Sequence, residues 1–325
     1  MFNKLIKELF ETKLWQIDPS VGGGLARQIV DNMMNHSPYG ETSQKTPVEL
    51  LVCRASERRK FMSDHAIELV SDPLLSKRAS LFQKVMVGNA PSMMRWGDVA
   101  EDDEVINLMH IDGPITRSGG ACSIGSQEVR DQLISLSNKP QVLGHIFTID
   151  SPGGSSYSSN DFEMGIAAAK EAGQPTIGLI DGTCASAAKH FSALLDEVYY
   201  VHPKCQIGCI GTYGAFFTNK NGDQNTVNQE VYHEIYASQS TEKNLMFRLS
   251  ANGDDSAIQK MVDEDAEEFM QDIRDLEPNT PEEWLTGVMV DCDKTEGIWT
   301  VGRSNLDGCI QRVLELSQKG ATTIQ

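Results

Sequence analysis

Residues 105–201 alternate short apolar runs with stretches of helical spacing, and that alternation leaves few folds open. VINLMHI at 105–111 is a mainly apolar run, interrupted by Asn107 and His110, that stops at Gly113-Pro114. VLGHIFTID at 142–150, PTIGLI at 175–180 and EVYYV at 197–201 repeat the signal. The residues between them predict helices over 126–137, 160–172 and 185–195. A strand that is apolar on both faces must be covered on both faces. Strands alternating with helices provide that cover as βαβ units, so the expectation is an α/β fold with a largely parallel sheet. Further strands are expected at 212–217 and 231–237, a long acidic helix at 256–276 and a closing helix at 305–317.

The first hundred residues read differently. Phe2, Leu5, Ile6, Leu9 and Phe10 have helical spacing, and Gly22-Gly23-Gly24 interrupts it. A polar loop spans 36–47, and helical stretches are expected at 48–70 and 75–87. Residues 88–104 read as a linker. The expected organisation is a mostly helical region at 1–100 followed by a domain at 101–325.

Charge and cysteine usage exclude several functions. The formal net charge is -18, and the acid excess falls on residues 101–325. A surface so acidic repels nucleic acid backbones. The seven cysteines are odd in number and form no CxxC pair, and the seven histidines are scattered. No metal site, cofactor or disulfide framework is expected, and a reducing compartment fits. No stretch approaches the ~20 apolar residues of a membrane span, and the first residues lack a signal-peptide pattern. A cytoplasmic location is expected.

Two strand ends carry groups suited to chemistry. DSPGG at 150–154 ends a strand in two glycines, whose amides are free of side-chain obstruction. Such donors can hold a developing oxyanion or simply make a tight turn. GTCASAAK at 182–189 places Ser186 among small residues where a helix begins. Serine there is either a helix cap or an exposed nucleophile. Ser186 and Lys189 also form an S-x-x-K pair on one helix face, an arrangement used in acyl transfer.

Taken together, DSPGG at 150–154, GTCASAAK at 182–189, IGCIGTY at 207–213 and the closing segment at 285–313 resemble the signal peptide peptidase A (SppA) family, including its phage head-maturation branch. The likeness spans residues 104–317. It implies a ClpP/crotonase-like fold and a serine endopeptidase with a serine–lysine dyad. By this resemblance Ser186 is the nucleophile. Gly153, Gly154 and the amide of Ala187 form the oxyanion hole. The lysine base is Lys243, the only lysine in the segment Ile235-Tyr236-Ala237-Ser238-Gln239-Ser240-Thr241-Glu242-Lys243. Lys189, where the family has tyrosine, is the second choice. His190 and His202 are weaker candidates, and Cys209 replaces a family serine that helps orient the lysine.

The resemblance further implies a protein substrate, a capsid or scaffold protein, and a homo-oligomeric ring. Two other readings stay open: a crotonase-like acyl-CoA enzyme, and an inactive assembly scaffold.

Overall fold

A computed structural model of the chain describes residues 15–17, 48–65, 72–88, 93–119, 123–214, 225–227, 230–232, 237–239, 241–242 and 245–322. It opens with strand β1 (Trp15–Ile17) and β2 (Val48–Cys53). Helices α1 (Ala55–Asp64) and α2 (Asp72–Ala79) lead to β3 (Gln83–Val87). There follow β4 (Glu104–Asp112), β5 (Ile115–Thr116), β6 (Ile124–Gly125), α3 (Ser126–Ser137), β7 (Val142–Ser151) and β8 (Gly153–Ser155). Next come α4 (Ser158–Glu171), β9 (Thr176–Ala185), α5 (Ala187–Ala193), β10 (Glu197–Tyr200), β11 (Gln206–Gly208), β12 (Asn225–Val227) and β13 (Glu230–Tyr232). The chain closes with α6 (Leu245–Ala251), α7 (Ser256–Leu276), β14 (Met289–Asp291), β15 (Gly302–Arg303) and α8 (Leu306–Thr322).

The fold is mixed α/β around a largely parallel sheet. Its order is β14-β11-β9-β7-β4-β2-β3, with β10 also on β9 and β15 on β10. The central strands β4, β7, β9 and β11 are parallel. Antiparallel strands finish both ends, β2 and β3 on one side and β14 on the other. A smaller sheet has the order β1-β8-β5-β6.

The two-residue period of the strands sends alternate side chains to opposite faces. Phe147 and Ile180 pack with Leu133, Phe162, Ile166 and Phe191 of the helices on one face. Their neighbours Ile146 and Leu179 pack with Ile310, Val313 and Leu314 of α8 on the other. Gly165 lets α3 and α4 close up: a Cβ there would lie 3.0 Å from the Arg130 Cα.

The structure corrects the reading of the first hundred residues. α1 and α2 fall on the helical stretches expected at 48–70 and 75–87, but β2 takes the start of the first and β3 the end of the second. Leu50, Leu51, Val52 and Cys53 are all buried, because β2 lies between β3 and β4 with both faces covered. Four consecutive buried residues suit a covered strand, not one stripe of a helix. The central sheet thus runs across the boundary placed at residue 100. β11 at 206–208 was not expected; of the strand expected at 212–217, residues 212–214 are not strand, and 215–217 lie outside the described residues. β13 overlaps the strand expected at 231–237, of which 233–236 also lie outside.

A polar network sits inside this sheet. The Asn107 amide donates to His145 Nδ1 at 3.0 Å, so Nε2–H donates to Gln174 Oε1 at 2.9 Å. That pattern requires a neutral ring, and burial pushes the His145 pKa down to about 4. The folded value lies below the ordinary 6.5, so this stabilisation is complete above pH 6.5 and is lost as the pH falls toward 4. We expect urea unfolding to show a loss approaching ~3 kcal/mol over that window from this group. His145→Gln should flatten the slope; an unchanged pH profile would contradict the assignment.

Candidate active site

Two turns leave the sheet side by side at the ends of β7 and β9. Ser151 pairs with Cys184 across these strands. One carboxylate fastens the turns together: Asp150 Oδ1 accepts the Thr183 N–H at 2.9 Å. Gly182, at φ +142°, makes room for it, since a Cβ there would lie 2.3 Å from the same oxygen. Asp150 of DSPGG therefore holds the turn that carries the serine.

Ser186 is the single residue between β9 and α5, at φ +57° and ψ −118°. A non-glycine residue in this region is strained by ~1–3 kcal/mol and persists only where its surroundings fix it. Here its N–H donates to Gly208 O at 2.8 Å, and its carbonyl accepts the His190 N–H at 2.9 Å. The IGCIG segment is fixed in turn. Cys209, at φ +56°, donates its N–H to Val288 O at 2.8 Å. A strand–serine–helix turn of this kind aims a hydroxyl outward from the sheet. The Ser186 Oγ has no hydrogen-bond partner among the described residues. Contrary to the exposed hydroxyl expected from sequence, Ser186 is only 1% exposed. The oxygen is covered, and a covered polar atom without a partner calls for an explanation.

The glycine turn lies on the same rim. Ser151 Oγ donates to Gly113 O at 2.7 Å and accepts the Gly153 N–H at 3.2 Å. The Gly153 amide is thus held by a long hydrogen bond within its own turn. Gly154 has a steric duty as well: a Cβ would lie 1.8 Å from Ile115 O. Glycine there lets β8 press against β5. Ala187, the first residue of α5, carries one of the N–H groups that a helix leaves without an internal acceptor.

The candidate bases separate. Lys189 is fully buried, and its Nζ donates to the Glu277 carboxylate at the end of α7. The ammonium also lies 4.7 Å from the centre of the Trp299 ring. Burial raises the Glu277 pKa, and Lys189 opposes that rise. Lys189, the second choice of base, is engaged in a buried ion pair with Glu277. Glu277 was not singled out from sequence, because 88 residues separate the partners.

His190 is buried four residues beyond Ser186, with its pKa pushed down to about 4 by burial and then by the Lys189 charge. Its Nε2 lies 3.4 Å from Asp272 Oδ2 and 4.0 Å from Glu163 Oε1. It borders a cavity of about 390 Å³ shared with Arg117, Tyr157, Asn160 and Asp272. His202 is exposed, and its Nδ1 accepts the Lys204 N–H. Neither histidine bonds Ser186 Oγ. Lys243 lies outside the described residues.

No protein-family model matches the sequence, and no curated protein does. Solved structures similar to the chain include ClpP and enoyl-CoA hydratase proteins. A ClpP1 mutant from Listeria monocytogenes is 12% identical with a TM-score of 0.36, over 62% of this chain and 93% of that one. An enoyl-CoA hydratase/isomerase family protein from Silicibacter pomeroyi is 12% identical with a TM-score of 0.38, over 67% and 79%. An enoyl-CoA hydratase from Bacillus anthracis is 12% identical with a TM-score of 0.36, over 67% and 72%.

The buried ion pair makes a direct prediction. Lys189→Met and Glu277→Gln should each lower stability by ~3–5 kcal/mol, because each strands a buried partner. The double variant Lys189→Met/Glu277→Leu should recover much of that loss in chemical denaturation. Single-variant losses below ~1 kcal/mol would show that the pair is dispensable.

Proposed function

We propose that this chain is a serine endopeptidase with Ser186 as nucleophile and Lys243 as general base. The observation that carries this reading is the Ser186 hydroxyl, covered, without a hydrogen-bond partner among the described residues and held at a strained strand-to-helix turn. A helix cap requires neither feature: a capping serine is bonded to its own helix and has ordinary extended backbone. Three separate chain segments, at Asp150, Gly208 and Val288, fix the backbone around this one oxygen.

In the proposed reaction Ser186 Oγ attacks the carbonyl carbon of the scissile peptide as its proton passes to the neutral Lys243 amine. A lysine accepts that proton only with its pKa brought well below ~10.4, which burial on substrate binding supplies. The carbonyl oxygen becomes an oxyanion held by the amides of Ala187 and the Gly153–Gly154 turn. For Gly153 this means exchanging its 3.2 Å contact with Ser151 Oγ for the oxyanion. The C–N bond then breaks, and the lysine returns the proton to the leaving amine. Water next attacks the acyl-enzyme, giving its proton to the same amine, and Ser186 recovers it as the acid leaves.

The substrate we assign is a capsid or scaffold protein of a phage particle, processed by a soluble homo-oligomeric ring in the host cytoplasm. This rests on the motif resemblance alone. Among the described residues no helix is long and apolar enough to cross a membrane.

The test is mass spectrometry of products after incubation with the candidate capsid protein. Ser186→Ala and Lys243→Ala should each lose at least ~10³-fold in cleavage rate. Lys189→Met should still cleave, in proportion to its folded fraction. Full cleavage by Ser186→Ala would remove the nucleophile. CoA-ester turnover by that same variant would establish an acyl-CoA enzyme in its place, and a wild-type chain inert on both substrates would establish a scaffold.

A further inference from the structure

We propose that the outer edge of β8 is a binding site for an extended polypeptide, and that this chain's own residues 15–17 occupy it as an inhibitory strap. The proposal rests on the peptidase reading and names how its site is filled. β8 is three residues long and has a neighbour on each side. On the inner side Ile115 of β5 runs parallel to it, paired at Gly154. On the outer side β1 runs antiparallel, with Trp15 opposite Ser155, Gln16 opposite Gly154 and Ile17 opposite Gly153. Among the described residues β1 ends this sheet and pairs there with β8.

The register runs the strap along the glycine turn assigned to the oxyanion. Ser151 and Cys184 are paired, and two residues beyond them stand Gly153 and Ser186. The strap residue opposite Gly153 is Ile17, so the strap runs toward the amide assigned to the oxyanion. Pairing of this kind uses main-chain groups, which every polypeptide carries. Gly153 and Gly154 add no side chains at the edge, so the site accepts many sequences.

Tethering makes the strap an effective competitor. A segment of the same chain acts at a local concentration in the ~mM range, which a separate substrate must exceed or displace. Three paired residues form a weak ladder, so the strap is displaceable and does not lock the site for good. A substrate protein presenting several extended segments at high density, as in an assembling particle, has the means to displace it.

The experiment uses the full chain and two single variants, Gln16→Pro and Ile17→Pro. Adjacent residues of an edge strand point their N–H groups to opposite sides, so one of these prolines removes a ladder donor and the other is the control. Hydrogen exchange of the Gly153–Ser155 amides is measured in a Ser186→Ala background, where catalysis plays no part. The rate at which a fluorophosphonate probe modifies Ser186 is measured in chains that retain the serine. We expect the wild-type amides to be protected, with exchange and labelling both at least ~10-fold faster in a proline variant. A synthetic peptide of residues 12–20 should restore protection and slow labelling again. The proposal is overturned if exchange at 153–155 is the same in all chains, or if it accelerates while labelling of Ser186 does not. Rapid labelling at one rate in every chain would sink the strap and leave the peptidase standing. Exchange that responds to proline, with Ser186 never labelled in any chain, would overturn the hydrolase reading and with it the inhibitory role.

Discussion

The parallel pairing of β7 with β9 is the constraint on which the rest depends. Both turns that carry candidate chemistry leave the sheet from these strands. The pairing shifts register just before it ends, between Ile149 and Ser151. There the Asp150 carboxylate reaches the Thr183 amide. A one-residue slip would turn the inward side chains out, and it would also part this carboxylate from its donor. The buried strands resist such a slip, because Phe147, Ile149 and Ile180 lie in one core and Ile146, Ile177 and Leu179 in the other.

The strain at Ser186 follows from that frame. A backbone at φ +57° is held by bonds at both of its ends, one to β11 and one to the first turn of α5. β11 is itself fixed by β14, far along the chain. The serine geometry is thus supported from several elements, and the cost of the local conformation is met by sheet pairing around it. The Lys189–Glu277 pair serves the same end from behind. It ties the short helix α5 to the end of α7 through a fully buried lysine.

Much of this was legible from residues. The alternation at 105–201 announces the parallel core, and GTCASAAK is bonded to DSPGG through Asp150 and to IGCIG through Gly208. Each marks a strand end where glycine or a small residue is required. Less was legible in the first hundred residues. VELLVC at 48–53 has no alternation and no clear helical period, and such a run is assigned only by its neighbours. Trp15–Ile17 follows a helix-like pattern, and three residues carry no periodicity of their own.

The sequence by itself determined the class of fold and the nucleophile candidate, since apolar periodicity and glycine placement act locally. Only the tertiary structure decided which groups meet: Asp150 with Thr183, Ser186 with Gly208, Lys189 with Glu277, and β1 with β8. Those contacts join residues tens of positions apart. No local rule encodes them, because the energy of a buried ion pair or a strand ladder depends on which surfaces the whole chain brings together.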